Sequence, residues 1–216
     1  LLHQNRVIGV IGMKKVGYTF TLEEQQVFRM IADLTSSALA FSSLLTRYKK
    51  MAHQDGLTGL VTKNQFMIML GDMLMNAAIG CDSLSVFMFD LDHFKAYNDR
   101  NGHLEGDRLL KELSELILKN VRDEDIAAGY GGEEFVIGFP HLESKHALRV
   151  GEFLRRKIER HPFPHREGQP MGLISVSGGV ATYPEDGDTA AKLLTVADNR
   201  LYAAKNKGRN LVVAQS

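Results

Sequence analysis

The chain has 216 residues, of which 44% are hydrophobic and 24% charged, so it can bury a sizeable core and is not a disordered tail. Lys and Arg together number 26, and so do Asp and Glu. This neutral total argues against a non-specific nucleic-acid binder, which is normally basic. A single cysteine, Cys81, excludes an intrachain disulfide and favours a reducing, cytosolic setting.

The sequence also bears on targeting. No apolar run approaches the ~20 residues that a membrane span needs, and the first residues do not resemble a signal peptide. The sequence begins in mid-pattern, as if cut from something longer. We therefore expect a cytoplasmic chain with no membrane span of its own.

The N-terminal part predicts a strand followed by a long helix. Residues 6–13 form a short apolar run with glycines, which favours a strand. Thr21 and Glu24 have the spacing of a capping box, so a helix should begin at that point.

Apolar residues along this helix recur at alternating intervals of four and three residues, as in a coiled coil. We call these positions the heptad seam: Val27, Ile31, Leu34, Ala38, Phe41, Leu45 and Tyr48. The opposite face is polar, which favours pairing with a second copy of the chain. Packing of the helix on its own domain is the alternative.

Beyond a turn at residues 55–60, helical and extended patterns alternate. We predict helices at about 62–78, 106–120, 144–160 and 188–207, strands at 84–91 and 173–182, and a hairpin over 126–139. The alternation predicts an α/β (α+β) fold in which helices cover a central sheet.

Two carboxylates lie at the end of the strand predicted over 84–91. Asp90 and Asp92 are two residues apart, so on an extended chain they would share a face. Alone, such a pair is more often a solvated strand end than a metal site.

The hairpin tip, GYGGEEF at 129–135, strengthens the case for a metal site. Its paired glycines permit a tight backbone, and Glu133 and Glu134 follow with no Lys or Arg beside them. If Asp90 lies on the adjacent strand, several carboxylates converge, and like charges raise one another's pKa unless a cation binds. Hard oxygen ligands favour Mg²⁺ together with substrate phosphates, so we predict a metal-nucleotide site here.

Other polar residues are candidates for binding the nucleotide. Asn98 and Asp107 are able to hydrogen-bond a base edge, and a carboxylate suits the two N–H donors of guanine. A helix cap is an equal alternative for Asp107. Lys205 and Arg209 are able to bind phosphates, but capping of the last helix by these cations and Gly208 is the simpler interpretation.

Six stretches, in their order and spacing over about residues 50–214, make the chain resemble the GGDEF domain family of diguanylate cyclases. They are DGLTGL (55–60), FDLDHFKAYND (89–99), GHLEGD (102–107), GYGGEEF (129–135), SGGVA (177–181) and LYAAKNKGRN (201–210). GGEEF is a variant of the family signature that keeps the carboxylate. The resemblance implies a nucleotidyl-cyclase or palm-like fold, with a mostly antiparallel sheet flanked by helices.

The resemblance also implies a reaction, in which two GTP become cyclic di-GMP and two pyrophosphates. Asp90, the carbonyl of Leu91 and Glu133 would hold two Mg²⁺ ions, with Mn²⁺ as a substitute. Glu134 would act as a further ligand or as an electrostatic aid.

The same resemblance implies how GTP is bound. Asn98 and Asp107 would recognise guanine. The phosphates would contact the backbone or side chains of His93, Phe94, Lys95, Lys205 and Arg209. Because each chain would hold one GTP, two chains must face each other, and the resemblance thereby gives the N-terminal helix a purpose in a homodimer.

An inhibitory site is implied as well. The family pattern R-x-x-D matches Arg122 and Asp125, which would bind the product and stop the enzyme; an ordinary charged loop is the alternative. Arg155 or Arg156 would supply a second contact.

Residues 1–46 resemble the end of a GAF domain, with a final strand and the helix that leads out of it. We therefore divide the chain into this partial sensor domain at 1–46 and a GGDEF domain at 47–216. With most of a ligand pocket missing, we expect no sensing by this fragment.

Two places depart from the usual family residues. Gly129 stands where the family usually has Arg, and Thr62-Lys63 stand where it usually has Asn-Arg. Rival hypotheses are a weak or inactive domain that acts as a cyclic di-GMP or GTP receptor, and a module for interactions only. Asp107 argues against a cyclase that uses ATP.

Overall fold

The computed structural model describes residues 2–3, 6–7, 9–12, 14, 17 and 19–215, apart from the side chains of 2–3, 6–7 and 45–52. It comprises two compact units, Leu1–Ala52 and His53–Ser216. Among the described residues, no helix is long and apolar enough to cross a membrane.

The first unit contains two short strands and a long helix. Strands β1 (Leu2–His3) and β2 (Arg6–Val7) pair antiparallel, and helix α1 spans Leu22–His53. The strand predicted over 6–13 is too long: residues 9–12 are not extended in a sheet, while 8 and 13 lie outside the described residues. Glycines at both ends of 9–12 weaken a strand because they offer no side chain to pack.

Helix α1 begins as its sequence predicts. The backbone N–H of Glu24 donates to Thr21 Oγ1 at 3.2 Å, and the backbone N–H of Thr21 donates to Glu24 Oε2 at 2.9 Å. This reciprocal capping box satisfies two N–H groups that a helix start leaves without partners.

The second unit contains a six-stranded sheet with helices. Its elements are β3 (Val61–Thr62), α2 (Lys63–Gly80), β4 (Leu84–Leu91), α3 (Phe94–Asn101), α4 (His103–Leu118), β5 (Ile126–Gly131), β6 (Glu134–Pro140), α5 (Ser144–Arg160), β7 (Val176–Tyr183), α6 (Ala190–Asn206) and β8 (Val212–Val213). The strand order is β3-β5-β6-β4-β7-β8. The three inner pairings are antiparallel and the two outer ones are parallel. The expected mostly antiparallel sheet flanked by helices is confirmed.

Strand β4 is an inner strand of this sheet. It pairs with β6 on one side and β7 on the other, and all eight of its residues are buried. Phe87 and Phe89 contribute to the core on one face, while Val86 and Met88 contribute to the core on the other. Burial on both faces explains why β4 is a nearly continuous apolar run that ends abruptly in acids.

Candidate active site

The acidic residues converge as the hairpin pattern predicts. In the antiparallel pairing of β4 with β6, Asp90 lies directly opposite Glu134. The Leu91 N–H donates to the Glu133 carbonyl at 3.3 Å, which joins the hairpin tip to the end of β4. The hairpin closes through Gly132, whose φ of +57° is a conformation that glycine adopts without strain.

Asp90 is a buried carboxylate with one cationic partner. The residue is only 5% exposed, and Lys205 Nζ lies 2.8 Å from its Oδ1. Burial raises the pKa of Asp90 to about 6; Lys205 opposes this rise, and the nearby Glu133 and Glu134 add to it. The site therefore has more negative charge than one lysine neutralises.

This donor set fits a hard divalent cation. Within the residues that the structure describes, no three His, Cys, Asp or Glu side chains form a metal cage by themselves. Mg²⁺ does not require one, because it is usually held by one or two carboxylates together with substrate phosphates. Asp90, the Leu91 carbonyl and Glu133 offer oxygen ligands of that kind at one end of the sheet.

Asp92 is not one of these candidate metal ligands, and its environment differs from that of Asp90. The Asp92 carboxylate accepts hydrogen bonds from Ser175 Oγ at 2.7 Å, Ser177 Oγ at 2.6 Å and the backbone N–H of Asn210 at 3.0 Å. β4 ends at Leu91, and the chain turns at Asp92 instead of continuing as a strand. Asp92 is therefore a structural acceptor that holds the loop after β4.

Asn98 of α3 packs against Gly106 of α4, beside the predicted base-binding residue Asp107. Asn98 Oδ1 is buried and has no hydrogen-bond partner among the described residues. A Cβ added to Gly106 would lie 1.8 Å from this oxygen, so only glycine leaves room for it. Asp107 follows directly and is exposed. The cap alternative for Asp107 is wrong, because α4 begins at His103 after Gly102.

The predicted phosphate contacts lie at two element ends. His93 has a φ of +60° and precedes α3, whose N-terminus has no side-chain cap. The first N–H groups of α3, beginning with Phe94 and Lys95, are therefore available to an anion. At the end of α6, Gly208 has a φ of +114° and Arg209 is exposed. Lys205 pairs with Asp90 instead of capping α6.

Arg122 and Asp125 form a pair beside a groove of about 350 Å³. Arg122 Nη2 lies 2.7 Å from Asp125 Oδ1, and its backbone N–H donates to Asp125 Oδ2 at 2.8 Å. Arg149 and Phe153 of α5 also line this groove. Of the two arginines predicted as a second contact, Arg155 is 8% exposed and bonded to Glu152, Glu159 and Asn210. Neither Arg155 nor Arg156 lines the groove.

The two departures from the family are neighbours in the sheet. In the parallel pairing of β3 with β5, Thr62 lies opposite Gly129. Lys63 Nζ lies 3.8 Å from the centre of the Tyr130 ring, within the range of a cation–π contact. A Cβ added to Gly129 would meet nothing within 4 Å.

Sequence reasoning assigned no role to Ser175, Ser177, Gly106 or Asn210. Ser177, Gly106 and Asn210 lie in the stretches SGGVA, GHLEGD and LYAAKNKGRN, which the sequence analysis had already singled out as family motifs. Their partners lie far along the chain, and pairing at that distance follows only from the fold.

Comparison with known proteins identifies the family to which the second unit is similar. The sequence profile described as "Diguanylate cyclase, GGDEF domain" matches residues 52–211. Diguanylate cyclase VdcA of Vibrio cholerae is 39% identical over 184 residues, which are 83% of this chain and 53% of that protein. Diguanylate cyclase A of Treponema denticola is 33% identical over 215 residues, which are 97% of this chain and 56% of that protein.

A solved structure extends the match to three dimensions. The coiled coil and GGDEF domain of DgcB from Caulobacter crescentus, in complex with c-di-GMP, superposes with a TM-score of 0.79 at 29% identity. The superposition covers 88% of this chain and 99% of the DgcB chain. The sheet and its acidic hairpin are those of a GGDEF domain, and the chain belongs to the GGDEF diguanylate cyclase family. It spans just over half the length of the two curated relatives.

Proposed function

We propose that this chain is a diguanylate cyclase, which condenses two GTP into cyclic di-GMP and two pyrophosphates. The observation that carries the proposal is the convergence of Asp90, Glu133 and Glu134 at the hairpin tip, with Lys205 at 2.8 Å from Asp90. In each of two steps, a 3′-oxygen attacks an α-phosphorus, the bond to pyrophosphate breaks, and the 3′-hydroxyl proton is released. Such transfers need positioning and charge neutralisation more than covalent catalysis.

The acidic residues hold the metal in this proposal. Asp90, the Leu91 carbonyl and Glu133 would hold two Mg²⁺ ions, or Mn²⁺ in their place, and Glu134 would support them as a ligand or electrostatically. The bound ions supply the positive charge that stabilises the phosphate oxygens during transfer. Lys205, which pairs with Asp90, lies where its ammonium group would also contact the triphosphate.

Asn98 of α3 and Asp107 of α4 bind guanine in this proposal. Asn98 Oδ1, which lacks a partner in its buried position, and the exposed carboxylate of Asp107 accept from the N–H donors of the base. An adenine has no such pair of donors on this edge, so these two acceptors favour GTP over ATP. The phosphates bind the α3 N-terminus at His93, Phe94 and Lys95, together with Lys205 and Arg209.

Two chains act together, because one GTP per chain leaves each nucleotide without a reaction partner. The exposed heptad seam of α1 supports a parallel homodimer, since Ile31 is 48%, Leu34 66% and Phe41 62% exposed. The side chains of Leu45 and Tyr48, at the end of the seam, lie outside the described residues.

Regulation and context complete the proposal. Cyclic di-GMP binds at Arg122 and Asp125 and inhibits the enzyme, and Arg149 rather than Arg155 extends this groove. Residues 1–46 are the end of a GAF-like sensor domain, residues 47–216 are the cyclase, and the protein acts in the cytoplasm.

Incubation of the purified chain with GTP and Mg²⁺, with products separated by chromatography, tests the proposal. We expect cyclic di-GMP and pyrophosphate from the wild type. Glu133→Gln should reduce turnover at least about a hundredfold, because it removes a charged metal ligand. Full turnover by this variant would remove the metal site from the proposal.

A receptor function is the second candidate. It is favoured by Gly129, which stands where the family usually has Arg. If the chain makes no product but binds cyclic di-GMP tightly in calorimetry, it is a receptor. Loss of that binding in Arg122→Ala would then locate the ligand in the Arg122 groove.

A further inference from the structure

Asn210 joins two separate parts of the second unit. Its backbone N–H donates to Asp92 Oδ2 at 3.0 Å. Its side-chain Oδ1 accepts from Arg155 Nη1 at 2.6 Å, and its Nδ2 donates to Glu159 Oε1 at 2.8 Å. Asp92 directly follows β4, and the other two partners lie on α5. One residue therefore connects the end of the central strand to a helix.

The partners of Asn210 are themselves fixed. Asp92 is 4% exposed and also accepts from the hydroxyls of Ser175 and Ser177. Arg155 is 8% exposed, and its Nε donates to Glu152 Oε2 at 3.0 Å. Hydrogen bonds of buried charged groups are short, directional and costly to leave unmade. Asn210 is consequently attached to a rigid framework.

The backbone at this point has an uncommon conformation. Arg209 has a φ of +66° and Asn210 a φ of +49°, and both follow Gly208. Non-glycine residues adopt positive φ at a cost, and they persist there only when surrounding contacts determine the conformation. The contacts of Asn210 are the ones that do so here, together with the bond from the Arg209 N–H to the Ala204 carbonyl at 3.1 Å.

The geometry points to Asn210 as a positioning residue for the triphosphate. It fixes the direction of Arg209 relative to the end of β4, which carries Asp90. Asn210 does not touch the nucleotide itself. This inference rests on the proposed function, in which Arg209 binds the phosphates of GTP.

Steady-state kinetics of cyclic di-GMP formation test this role. Asn210→Gly keeps the positive φ accessible but removes both side-chain bonds. We expect the KM for GTP to rise about tenfold and kcat to fall less than about threefold, since binding is what is lost. Glu159→Ala should raise KM in the same direction. Glu159→Gln keeps an amide oxygen for Asn210 Nδ2 but replaces the oxygen that accepts from Arg155 Nη1 with an NH2 group. Its KM should therefore lie between the wild-type value and that of Glu159→Ala.

A double-mutant cycle separates positioning from simple stability. If Asn210 acts through Arg209, adding Asn210→Gly to Arg209→Ala should raise KM no further. Ser85→Ala is the matched control, because the Ser85 hydroxyl makes two hydrogen bonds at the opposite end of β4. It should lower the melting temperature without changing KM. The inference would be overturned if Asn210→Gly raised KM equally in the wild type and in Arg209→Ala. It would also be overturned if Asn210→Gly lowered the melting temperature without changing KM.

The outcomes also distinguish this inference from the proposed function. A wild type that makes no cyclic di-GMP contradicts the proposed function; calorimetry with a non-hydrolysable GTP analogue and Mg²⁺ then tests the same variants. An active wild type with an unchanged KM in folded Asn210→Gly contradicts only the role of Asn210. Should Asn210→Gly not fold, the two Glu159 variants decide the question, and equal KM values for Ala and Gln would count against it.

Discussion

Asp90 is the residue at which burial and charge conflict. Its pKa rises from 3.8 to about 6, chiefly because burial disfavours the ionised form. Below pH 3.8 the carboxyl is neutral in the folded and the unfolded chain, so it has no effect on stability. As the pH rises from 3.8 to about 6, the fold loses on the order of 2–3 kcal/mol, because the unfolded chain ionises over this range before the folded chain does.

Asp90→Asn should therefore stabilise the metal-free chain while it abolishes turnover. We expect a higher melting temperature than the wild type at pH 8, and convergence of the two near pH 4. Addition of Mg²⁺ and a GTP analogue should stabilise the wild type only. Asp198→Asn, which removes an exposed carboxylate of α6, is the control. A lower melting temperature of Asp90→Asn at pH 8 would mean that the Lys205 ion pair outweighs the burial of Asp90.

The acidic residues show how far sequence reasoning reaches at this scale. The convergence of Asp90 with Glu133 and Glu134 was predictable, because a hairpin tip and a strand end have fixed geometry once the strands pair. The separate role of Asp92 was not. It depends on Ser177 and Asn210, and no local pattern brings residues so distant in the chain together.

The elements were predictable where a periodic pattern was long. Helix α5 and strand β4 have the predicted bounds, Ser144–Arg160 and Leu84–Leu91. Strands β3 and β8 have two residues each, too few to show an alternation. Helix α4 begins at His103, three residues before its predicted start at 106. Gly106 is a poor helix former, which favours a helix boundary at this position in the sequence. In the structure Gly106 lies inside the helix, because only glycine leaves room for Asn98 Oδ1.

Helix α1 supports a prediction about assembly. Ile31→Asp together with Leu34→Asp should dissociate the dimer, because each change places a charge where about 2 kcal/mol of apolar burial is expected. Analytical ultracentrifugation should show at least about a hundredfold weaker association, and activity per chain should fall in parallel. Arg29→Asp with Ser43→Asp adds the same two carboxylates on the polar face and should leave the dimer intact. An unchanged dimer in the seam variant would exclude the seam as the interface.

At the scale of the whole molecule, we expect cyclic di-GMP to inhibit the enzyme by binding in the groove beside Arg122. Arg122→Ala removes charge-assisted hydrogen bonds to the ligand, which are worth about 1.5–3 kcal/mol. The concentration of cyclic di-GMP that halves activity should therefore rise about 10- to 100-fold, with little change in initial rate. Product-inhibition curves measure this directly.

The controls for this experiment lie on the same surface. Arg156→Ala removes an exposed arginine of α5 that does not line the groove, and it should leave inhibition unchanged. The side chain of Asp125 is 3% exposed and loses its Arg122 partner in Arg122→Ala, so the melting temperature of this variant should be recorded as well. A wild-type inhibition curve from folded Arg122→Ala would place the inhibitory site elsewhere.

The pairing of Thr62 with Gly129 has a consequence for the redesign of this domain. The two departures that the family resemblance marks in the sequence lie at one place in the sheet. Because Lys63 contacts the ring of Tyr130 beside this pair, the substitutions form a single structural unit. An engineer who wishes to give this domain the usual family residues should exchange Thr62, Lys63 and Gly129 together, as one cassette.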